Sequence, residues 1–217
     1  MKQYIFDTNF FFNMENDSGF GNNSQEVFEQ VTEYARKISK DSVSFLMPPS
    51  IVTEIHTFLD EGTPFLTDFL SHVTVKAPEK HNVTIPAQLT YEIVQDIRQR
   101  SYRGLQIAEE ELQNVASEFH TLNSGEMSEL DDEQNTRIAF QKKIGQHITK
   151  LRDRYRNATR TKFLDSTADL DVIMLAREVD GVVVSSDEGV IEWARRFGVK
   201  EAIPRVLKQQ LDHHLQA

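Results

Sequence analysis

The sequence predicts an α/β domain, with a central parallel sheet flanked by helices, that is interrupted by a long inserted αα-hairpin. Short apolar runs that end abruptly in polar residues predict the sheet, as at Tyr4–Asn9 (YIFDTN) and Val182–Asp187 (VVVSSD). Such runs are typical of buried parallel strands. The stretch Pro86–Arg160 predicts the insertion, because it has helical periodicity and no strand signal. We therefore expect an α/β domain made of residues 1–85 and 161–217, and a hairpin made of residues 86–160.

Before the insertion, helices and strands alternate and are separated by residues that break both. Apolar residues at helical spacing between Ser24 and Lys40 predict an amphipathic helix, for which Ser24 is the expected N-cap. Pro48 and Pro49 are expected to end the strand that precedes them. In the helix that follows, the side chain of Phe58 is expected to face inward. The predicted elements are a strand over Tyr4–Phe6, a helix over Ser24–Lys40, a strand over Val43–Met47, a helix over Ser50–Leu59, a helix over Pro64–Phe69 and a strand over Val73–Val75.

The insertion is predicted to consist of two long helices joined by a turn at Thr121–Gly125 (TLNSG), the second helix beginning at Glu126. A coiled-coil arm that binds a partner has the same geometry and stays open as an alternative. Candidates for apolar contact between subunits are Leu105, Ile107, Leu112 and Ile144. The elements predicted after the insertion are a helix over Asp165–Val179, a strand over Gly181–Ser185, a helix over Asp187–Phe197, a strand at Ala202–Ile203 and a helix over Pro204–Leu215.

Length, composition and charge restrict the class of protein. A chain of 217 residues without cysteine can form neither disulfides nor a zinc–thiolate site, and it is compatible with a reducing cytoplasm. We expect no signal peptide, because the first residues include Asp7 and lack a long apolar segment. We also expect no membrane span, because no run of about 18 apolar residues occurs. The formal charge of −10 argues weakly against nucleic acid as a partner, unless positive charge is concentrated in one segment.

Acidic residues lie where the predicted strands end. Asp7 directly follows the first strand and Asp187 follows the strand GVVVSS, so both are expected at the carboxyl edge of the sheet, where open α/β sheets bind ligands. Asp165 and Asp169 are four residues apart, so on one helix they project from the same face. Each acid also has a local explanation. Asp7 can cap a turn, and Asp165 and Asp187 can be N-caps of the helices that follow them.

Two further acids are expected near the same edge. Glu54 lies one turn into the helix after the second strand, and Asp171 follows Asp169 by two residues and therefore faces elsewhere on its helix. Carboxylates gathered at close range repel one another unless they are protonated or bind cations. Hard oxygen ligands select Mg²⁺ or Mn²⁺ over Zn²⁺, and such ions support phosphoryl displacement. The acids therefore indicate a candidate metal site for phosphodiester chemistry.

The same residues resemble the motifs of PIN-domain nucleases. The resemblance lies in Asp-Thr-Asn after the first strand, in Ser-x-x-x-Glu at Ser50–Glu54, in the acid-led helix Asp169–Ala176 and in strand-Ser-Ser-Asp at Ser185–Asp187. More closely, FDTNFFF at the start and DSTADLDVIMLAREVDGVVVSSDEG at Asp165–Gly189, with a long helical hairpin between them, look like the HARP family of minimal protein-only RNase P enzymes. The resemblance covers essentially the whole chain.

The resemblance implies a PIN-like fold and an endoribonuclease that removes the 5′ leader of precursor tRNA. The products would be a 5′-phosphate on the tRNA and a 3′-hydroxyl on the leader. Mg²⁺ is the implied cofactor, with Mn²⁺ as a substitute, and the implied metal-binding and catalytic residues are Asp7, Asp165, Asp169 and Asp187. The resemblance also implies a large homo-oligomer built from dimers, of which a dodecamer is one size. No protein cofactor is evident, and a cytoplasmic location is expected.

Other positions match the family pattern less specifically. Glu54 falls on the acidic position of general PIN domains, and Asp171 competes with Asp169 for one metal-ligand position because the two motifs can be aligned two residues apart. Asn9 and Ser185 match polar positions that support the metal ligands in PIN domains, although each can equally be structural.

Positive charge is concentrated in the second arm of the hairpin. Residues 137–162 carry nine basic side chains and one acid, a net charge of +8, whereas residues 88–136 carry three arginines and eleven acids, a net charge of −8. Arg152, Arg156 and Arg160 recur every four residues and form a stripe on a helix, which is typical of phosphate binding, and Tyr155 lies among them. The predicted RNA contacts are Lys142, Lys143, Lys150, Arg152, Arg154, Arg156 and Arg160. The alternative is that the basic arm pairs with the acidic arm, and both interpretations can hold together.

Two other functions compete with this hypothesis. A toxin-type PIN ribonuclease would share the acids, but the long hairpin argues against it because those toxins are much shorter. A non-catalytic RNA-binding or assembly protein would keep the fold without the metal, and the presence of Asp7, Asp165, Asp169 and Asp187 argues against it. Cleavage of a labelled precursor tRNA with Mg²⁺ and with EDTA discriminates among the three.

Overall fold

A sheet of five parallel strands organises the domain that contains both ends of the chain. The computed structural model describes residues 1–13, 18–39, 41–81, 84–125, 133–164 and 166–216. The strands are β1 (Lys2–Phe6), β2 (Val43–Met47), β3 (Thr74–Val75), β4 (Val182–Val184) and β5 (Lys200–Ala202). In the described residues their order is β3-β2-β1-β4-β5, and each neighbouring pair is parallel. This confirms the predicted parallel sheet and places β1 at its centre.

The predicted helices occur in the predicted order, with several different bounds, and the short helix α1 was not predicted. They are α1 (Asn9–Phe12), α2 (Ser24–Lys37), α3 (Pro49–Ile55), α4 (Pro64–His72), α5 (Ala87–Gly125), α6 (Glu133–Arg160), α7 (Thr167–Glu178), α8 (Glu188–Arg196) and α9 (Pro204–Gln216). The chain divides into two compact units, one made of Met1–Leu89 with Lys162–Ala217 and the other of Thr90–Thr161. In the described part of the chain, no helix is long and apolar enough to cross a membrane.

Aromatic side chains build the core beside β1. Phe6, Phe10 and Phe11 are at most 1% exposed, and the ring of Phe11 stacks on that of Phe28 at a centroid distance of 4.1 Å. Full burial of one such side chain contributes about 1.5–3 kcal/mol. The run FFF after Asp7 therefore anchors the carboxyl end of β1 in the core, which holds the backbone of Asp7 in place.

Two predictions about helix ends are wrong, and a third is not tested. The N-cap of α2 is Asn23, whose side chain accepts a hydrogen bond from the Glu26 amide, and not Ser24, which is the first helical residue. The predicted turn at Thr121–Gly125 is the last part of α5. Thr, Asn and Ser cost a helix at most about 0.7 kcal/mol each, which is too little to stop a long helix, and glycine is the last residue of α5. The predicted helix start at Glu126 lies outside the described residues.

Phe58 is also not where the sequence predicted it. Its side chain is 60% exposed, because α3 ends at Ile55 and the chain then turns. The predicted inward face of a longer helix therefore does not extend to this residue.

Candidate active site

Asp7 lies at the carboxyl end of the central strand and is only 1% exposed. Its amide donates to the carbonyl of Val184 on β4 at 3.1 Å, and its carbonyl accepts from the Phe10 amide at 3.2 Å. The backbone is thus held both by the neighbouring strand and by the first turn after β1. This position at the carboxyl edge of the sheet is the one the sequence predicted.

The surroundings of Asp7 penalise its negative charge. The pKa of Asp7 is raised from 3.8 to about 6, chiefly by burial and also by repulsion from Asp187 and Glu54. A hydrogen bond from the Ser185 hydroxyl to Asp7 Oδ2, at 2.5 Å, acts in the opposite direction and lowers the pKa. Because two other carboxylates act on this buried acid, a cation bound among them would relieve a repulsion that the folded chain otherwise retains.

Asp187 both caps a helix and faces the acidic site. Its Oδ1 accepts from the amides of Gly189 at 2.6 Å and Val190 at 3.3 Å, so it is the N-cap of α8, as the alternative explanation held. Its Oδ2 lies 3.4 Å from Asn9 Nδ2. The Ser185 hydroxyl that donates to Asp7 also accepts from the Asp187 amide at 2.9 Å. One serine therefore joins the two acids that follow β1 and β4.

Glu54 is brought to the same edge by a threonine that sequence analysis did not single out. The Thr8 hydroxyl donates to Glu54 Oε2 at 2.7 Å, and Thr8 is adjacent to Asp7. This bond orients the carboxylate of α3 toward the segment that follows β1. The signal was present in the Asp-Thr-Asn motif, but a buried threonine with a polar partner cannot be distinguished in sequence from one that only packs.

Helix α7 begins later than predicted. Its N-cap is Ser166, whose side chain accepts from the Ala168 amide, and its first helical residue is Thr167. Asp165 lies outside the described residues, so the prediction that it shares a helix face with Asp169 through four-residue spacing stays a prediction. Asp169 lies in the first turn of α7 and is partly exposed.

Asp171 is engaged by a hydroxyl and a cation. Its Oδ2 accepts from the Ser50 hydroxyl at 2.9 Å, and its Oδ1 lies 2.9 Å from the Lys80 ammonium group. A carboxylate already neutralised by lysine is a poorer ligand for a second cation. The choice between Asp169 and Asp171 stays a prediction.

The residues that the structure places together supply only oxygen ligands. Within the described ranges, which omit Asp165, no group of three histidine, aspartate or glutamate side chains has the spacing of a metal site. Asp7, Asp187 and Glu54 nevertheless act on one another electrostatically, as the raised pKa of Asp7 indicates. Carboxylate oxygens are the ligands that Mg²⁺ and Mn²⁺ prefer, so the donor set fits the predicted ions.

The two long helices pair through charges, as the alternative interpretation of the basic arm held. Lys143 lies 3.4 Å from Glu118, Lys150 lies 3.6 Å from Glu111, and Arg154 binds both Glu110 and Glu111. Glu111 is only 2% exposed. Of the predicted RNA contacts, Lys143, Lys150 and Arg154 therefore have ion-pair partners on the acidic arm.

The remaining basic residues of the prediction are exposed. Arg152 and Arg156 are exposed and form no ion pair within the described ranges, and the same holds for Lys142. Arg160 is exposed as well. Spacing separates the two groups, because Arg154 projects from a different side of α6 than Arg152 and Arg156 do.

His147 joins the two helices, although sequence analysis assigned it no role. Its Nδ1 lies 2.7 Å from Glu111 Oε1 and its Nε2 lies 2.9 Å from Glu118 Oε2. Hydrogen bonds to these two carboxylates raise the pKa of His147, since both ring nitrogens donate only in the charged imidazolium. The only sequence signal was a histidine within a basic arm opposite an acidic one.

Comparisons with known proteins identify the family of the chain. A family described as PINc domain ribonuclease matches residues 3–216. The chain is 34% identical over 212 residues to the "RNA-free ribonuclease P" of Pyrococcus furiosus, covering 98% of this chain and 94% of that protein. It is 32% identical over 213 residues to the protein of the same name from Nitrosococcus oceani, covering 98% and 96%. It is also 32% identical over 212 residues to that from Thermococcus kodakarensis, covering 97% and 94%. The chain therefore belongs to the PINc domain ribonucleases and, among them, to the RNA-free ribonuclease P family.

Proposed function

We propose that this protein removes the 5′ leader of precursor tRNA as a metal-dependent endoribonuclease. The observation that carries the proposal is the group of carboxylates at the carboxyl edge of the parallel sheet, where Ser185 joins Asp7 to Asp187 and Thr8 holds Glu54. Membership of the RNA-free ribonuclease P family supports the substrate, because the relatives carry that activity in their names. Hydrolysis would leave a 5′-phosphate on the tRNA and a 3′-hydroxyl on the leader.

The proposed ligands of Mg²⁺, for which Mn²⁺ would substitute, are Asp7, Asp165, Asp169 and Asp187, with Glu54 and Asp171 as weaker candidates. When bound, such an ion supplies positive charge to phosphate oxygens and acidifies a water molecule. The chain itself positions the carboxylates. Ser185 donates to Asp7, and the helix amides of α8 occupy Asp187 Oδ1, which leaves Asp187 Oδ2 facing Asn9.

Cleavage assays with matched variants test the site. We expect the protein to cleave a 5′-labelled precursor tRNA with Mg²⁺ and not with EDTA, and Asp187→Asn to abolish cleavage without weakening tRNA binding. Asparagine is as good an N-cap as aspartate, so α8 stays capped. The control is Asp180→Asn, since Asp180 follows α7, is 90% exposed and has a positive φ of 47° that asparagine tolerates. If Asp187→Asn cleaves as fast as Asp180→Asn, the proposed site is wrong.

The proposed RNA-binding surface is the exposed stripe Arg152, Arg156 and Arg160, together with Lys142. Each lysine or arginine that contacts phosphate contributes about 0.7–0.9 to the slope of log K against log salt. Replacing Arg152, Arg156 and Arg160 by alanine should therefore lower that slope by about 2–3. Lys200→Ala is the control, because Lys200 is an exposed cation at the amino end of β5, the sheet edge opposite the acids. Equal slopes for the triple variant and Lys200→Ala would contradict the stripe as a phosphate contact.

We also propose self-association through α5, in a homo-oligomer built from dimers that can reach a dodecamer. Ile107 is 2% exposed and is therefore not available, contrary to its place among the predicted contacts, whereas Leu105 and Leu112 are 56% and 69% exposed. Further exposed apolar side chains of α5 are Tyr91, Val94 and Tyr102. Leu105→Glu with Leu112→Glu should lower the mass measured by light scattering. An unchanged mass would exclude this face. The proposal places the protein in the cytoplasm and requires no protein cofactor.

A further inference from the structure

Phe58 is a large apolar side chain that remains 60% exposed and follows the proposed ligand Glu54 by four residues. It lies in the turn after α3, where its amide donates to the Ile55 carbonyl at 3.0 Å and the Thr57 hydroxyl donates to the Glu54 carbonyl at 2.7 Å. These bonds hold the turn in one conformation. The ring is therefore presented to solvent by ordered backbone only four residues after Glu54.

A second aromatic ring supports it. The centroid of Phe12 lies 4.7 Å from that of Phe58, with 31° between the ring planes, and Phe12 in turn contacts Phe28 of α2 at 6.1 Å. Isolated exposed apolar residues are common on proteins and need no explanation. A ring that rests on a second ring, which is itself packed on the aromatic core, instead offers a flat and rigid surface.

The two segments that contribute these rings are the segments that carry two of the acids. Asp7 is followed by α1, which ends at Phe12, and α3 carries Glu54 before the turn that presents Phe58. The hydrogen bond from Thr8 to Glu54, at 2.7 Å, ties the two segments together. The two rings are therefore carried by the same pair of joined segments as Asp7 and Glu54.

We infer that Phe58 stacks on an unpaired nucleobase of the leader, next to the phosphodiester bond that is cleaved. An aromatic ring binds the face of any base and carries no charge, so it suits a site whose carboxylates repel the phosphates of the backbone. The leader supplies unpaired bases, whereas those of an acceptor stem are paired and stacked on each other. The inference rests on the proposed function and makes Phe58 a substrate-positioning residue.

The direct test compares variants of Phe58 on one substrate. Loss of a stacked base should lower kcat/KM for Phe58→Ala about tenfold, with Phe58→Trp near the parent value and Phe58→Leu near the alanine variant. Val206→Ala is the control, because Val206 is an exposed apolar residue, 38% exposed, on α9. Equal kcat/KM for Phe58→Ala and Val206→Ala would overturn the inference.

Abasic leaders distinguish stacking from a structural effect. With a leader that lacks a single base at one of the three positions before the cleavage site, the parent should lose about tenfold in kcat/KM at one position. With the same abasic leader, the kcat/KM of Phe58→Ala should equal its value with the intact leader. Two results would show that Phe58 does not stack on the leader. In one, the losses of kcat/KM from the missing base and from Phe58→Ala multiply at every position. In the other, no abasic leader lowers the kcat/KM of the parent.

Three other outcomes have definite meanings. If Phe58→Ala changes the mass measured by light scattering, and the abasic leaders are cleaved like the intact one, the ring mediates contact between copies and the inference is overturned. If the parent leaves every precursor uncut, the proposed function fails and the inference fails with it. If the parent cleaves the precursor and the Phe58 variants cleave it equally well, the inference is overturned and the proposed function stands.

Discussion

The buried carboxyl group of Asp7 should make the metal-free protein less stable than an otherwise identical protein with asparagine at this position. In the folded chain the pKa of Asp7 rises from 3.8 to about 6, chiefly because the group is buried and also because Asp187 and Glu54 repel its charge. The difference corresponds to about 3 kcal/mol between the protonated and ionised forms. That free energy is the magnitude expected for the change in stability.

The sign follows from which state binds the proton more tightly. Between pH 3.8 and about 6 the folded state keeps the proton of Asp7 and the unfolded state releases it. The free energy of unfolding therefore falls as pH rises through this window, and above pH 6 it stays lower by about 3 kcal/mol. Asp7→Asn removes the titration, while the amide oxygen still accepts from Ser185. The variant should equal the parent near pH 4 and exceed it above pH 6.

Urea unfolding in EDTA, measured for both proteins from pH 4 to pH 8, is the assay. At each pH, the difference between the free energies of unfolding of the two proteins removes the contribution of groups that both contain. What remains is the contribution of the Asp7 carboxyl group. Adding Mg²⁺ at pH 8 should then stabilise the parent, by about 2.7 kcal/mol at a hundred times the dissociation constant, and the variant much less. A difference in the free energy of unfolding that does not change with pH would refute the reasoning. It would show that burial does not raise the pKa of the Asp7 carboxyl group.

Three further predictions concern the hairpin. Glu111→Gln should lower the free energy of unfolding by about 1–3 kcal/mol in urea, because it weakens charged hydrogen bonds to a side chain that is 2% exposed, whereas Glu109→Gln, at an exposed site, should have little effect. The pKa of His147 is raised above 6.5 in the folded state, so its positive charge stabilises the hairpin fully below pH 6.5. That stabilisation is lost as pH rises through the folded-state pKa. Amide hydrogen exchange in α6 should therefore speed up over this pH range more in the parent than in His147→Gln. Gly104→Ala should cost about 1–3 kcal/mol by thermal unfolding, because its Cβ would lie 2.6 Å from the Tyr155 ring; unchanged stability would mean that the ring moves freely.

Part of the candidate site could be predicted because it depends on short-range rules. Asp7 and Asp187 directly follow strands that the apolar pattern predicted, and adjacent parallel strands bring their carboxyl ends to one edge. Helix bounds were less predictable. The start of α7 differs because Ser166 is its N-cap, and α5 runs through a segment whose composition is typical of a turn.

Contacts between elements were beyond sequence reasoning. Helical periodicity assigns a residue to a face of its own helix, but it does not say what packs on that face. The sequence left Asp171 and Asp169 as competitors, and only the structure shows that Lys80 and Ser50 lie beside Asp171. In the same way, Lys143 could not be assigned to RNA or to the acidic arm from its charge alone.

The sequence by itself determined the class of fold, the order of its strands and helices along the chain, and the positions of Asp7 and Asp187, because these depend on apolar periodicity and on the parallel direction of strands. Only the tertiary structure decided which charges are neutralised and which rings remain exposed. The physical reason is that long side chains reach several residues away from their own backbone. The element that packs nearby therefore decides which acid a lysine pairs with and whether a phenylalanine is buried. That element can be far away in the chain.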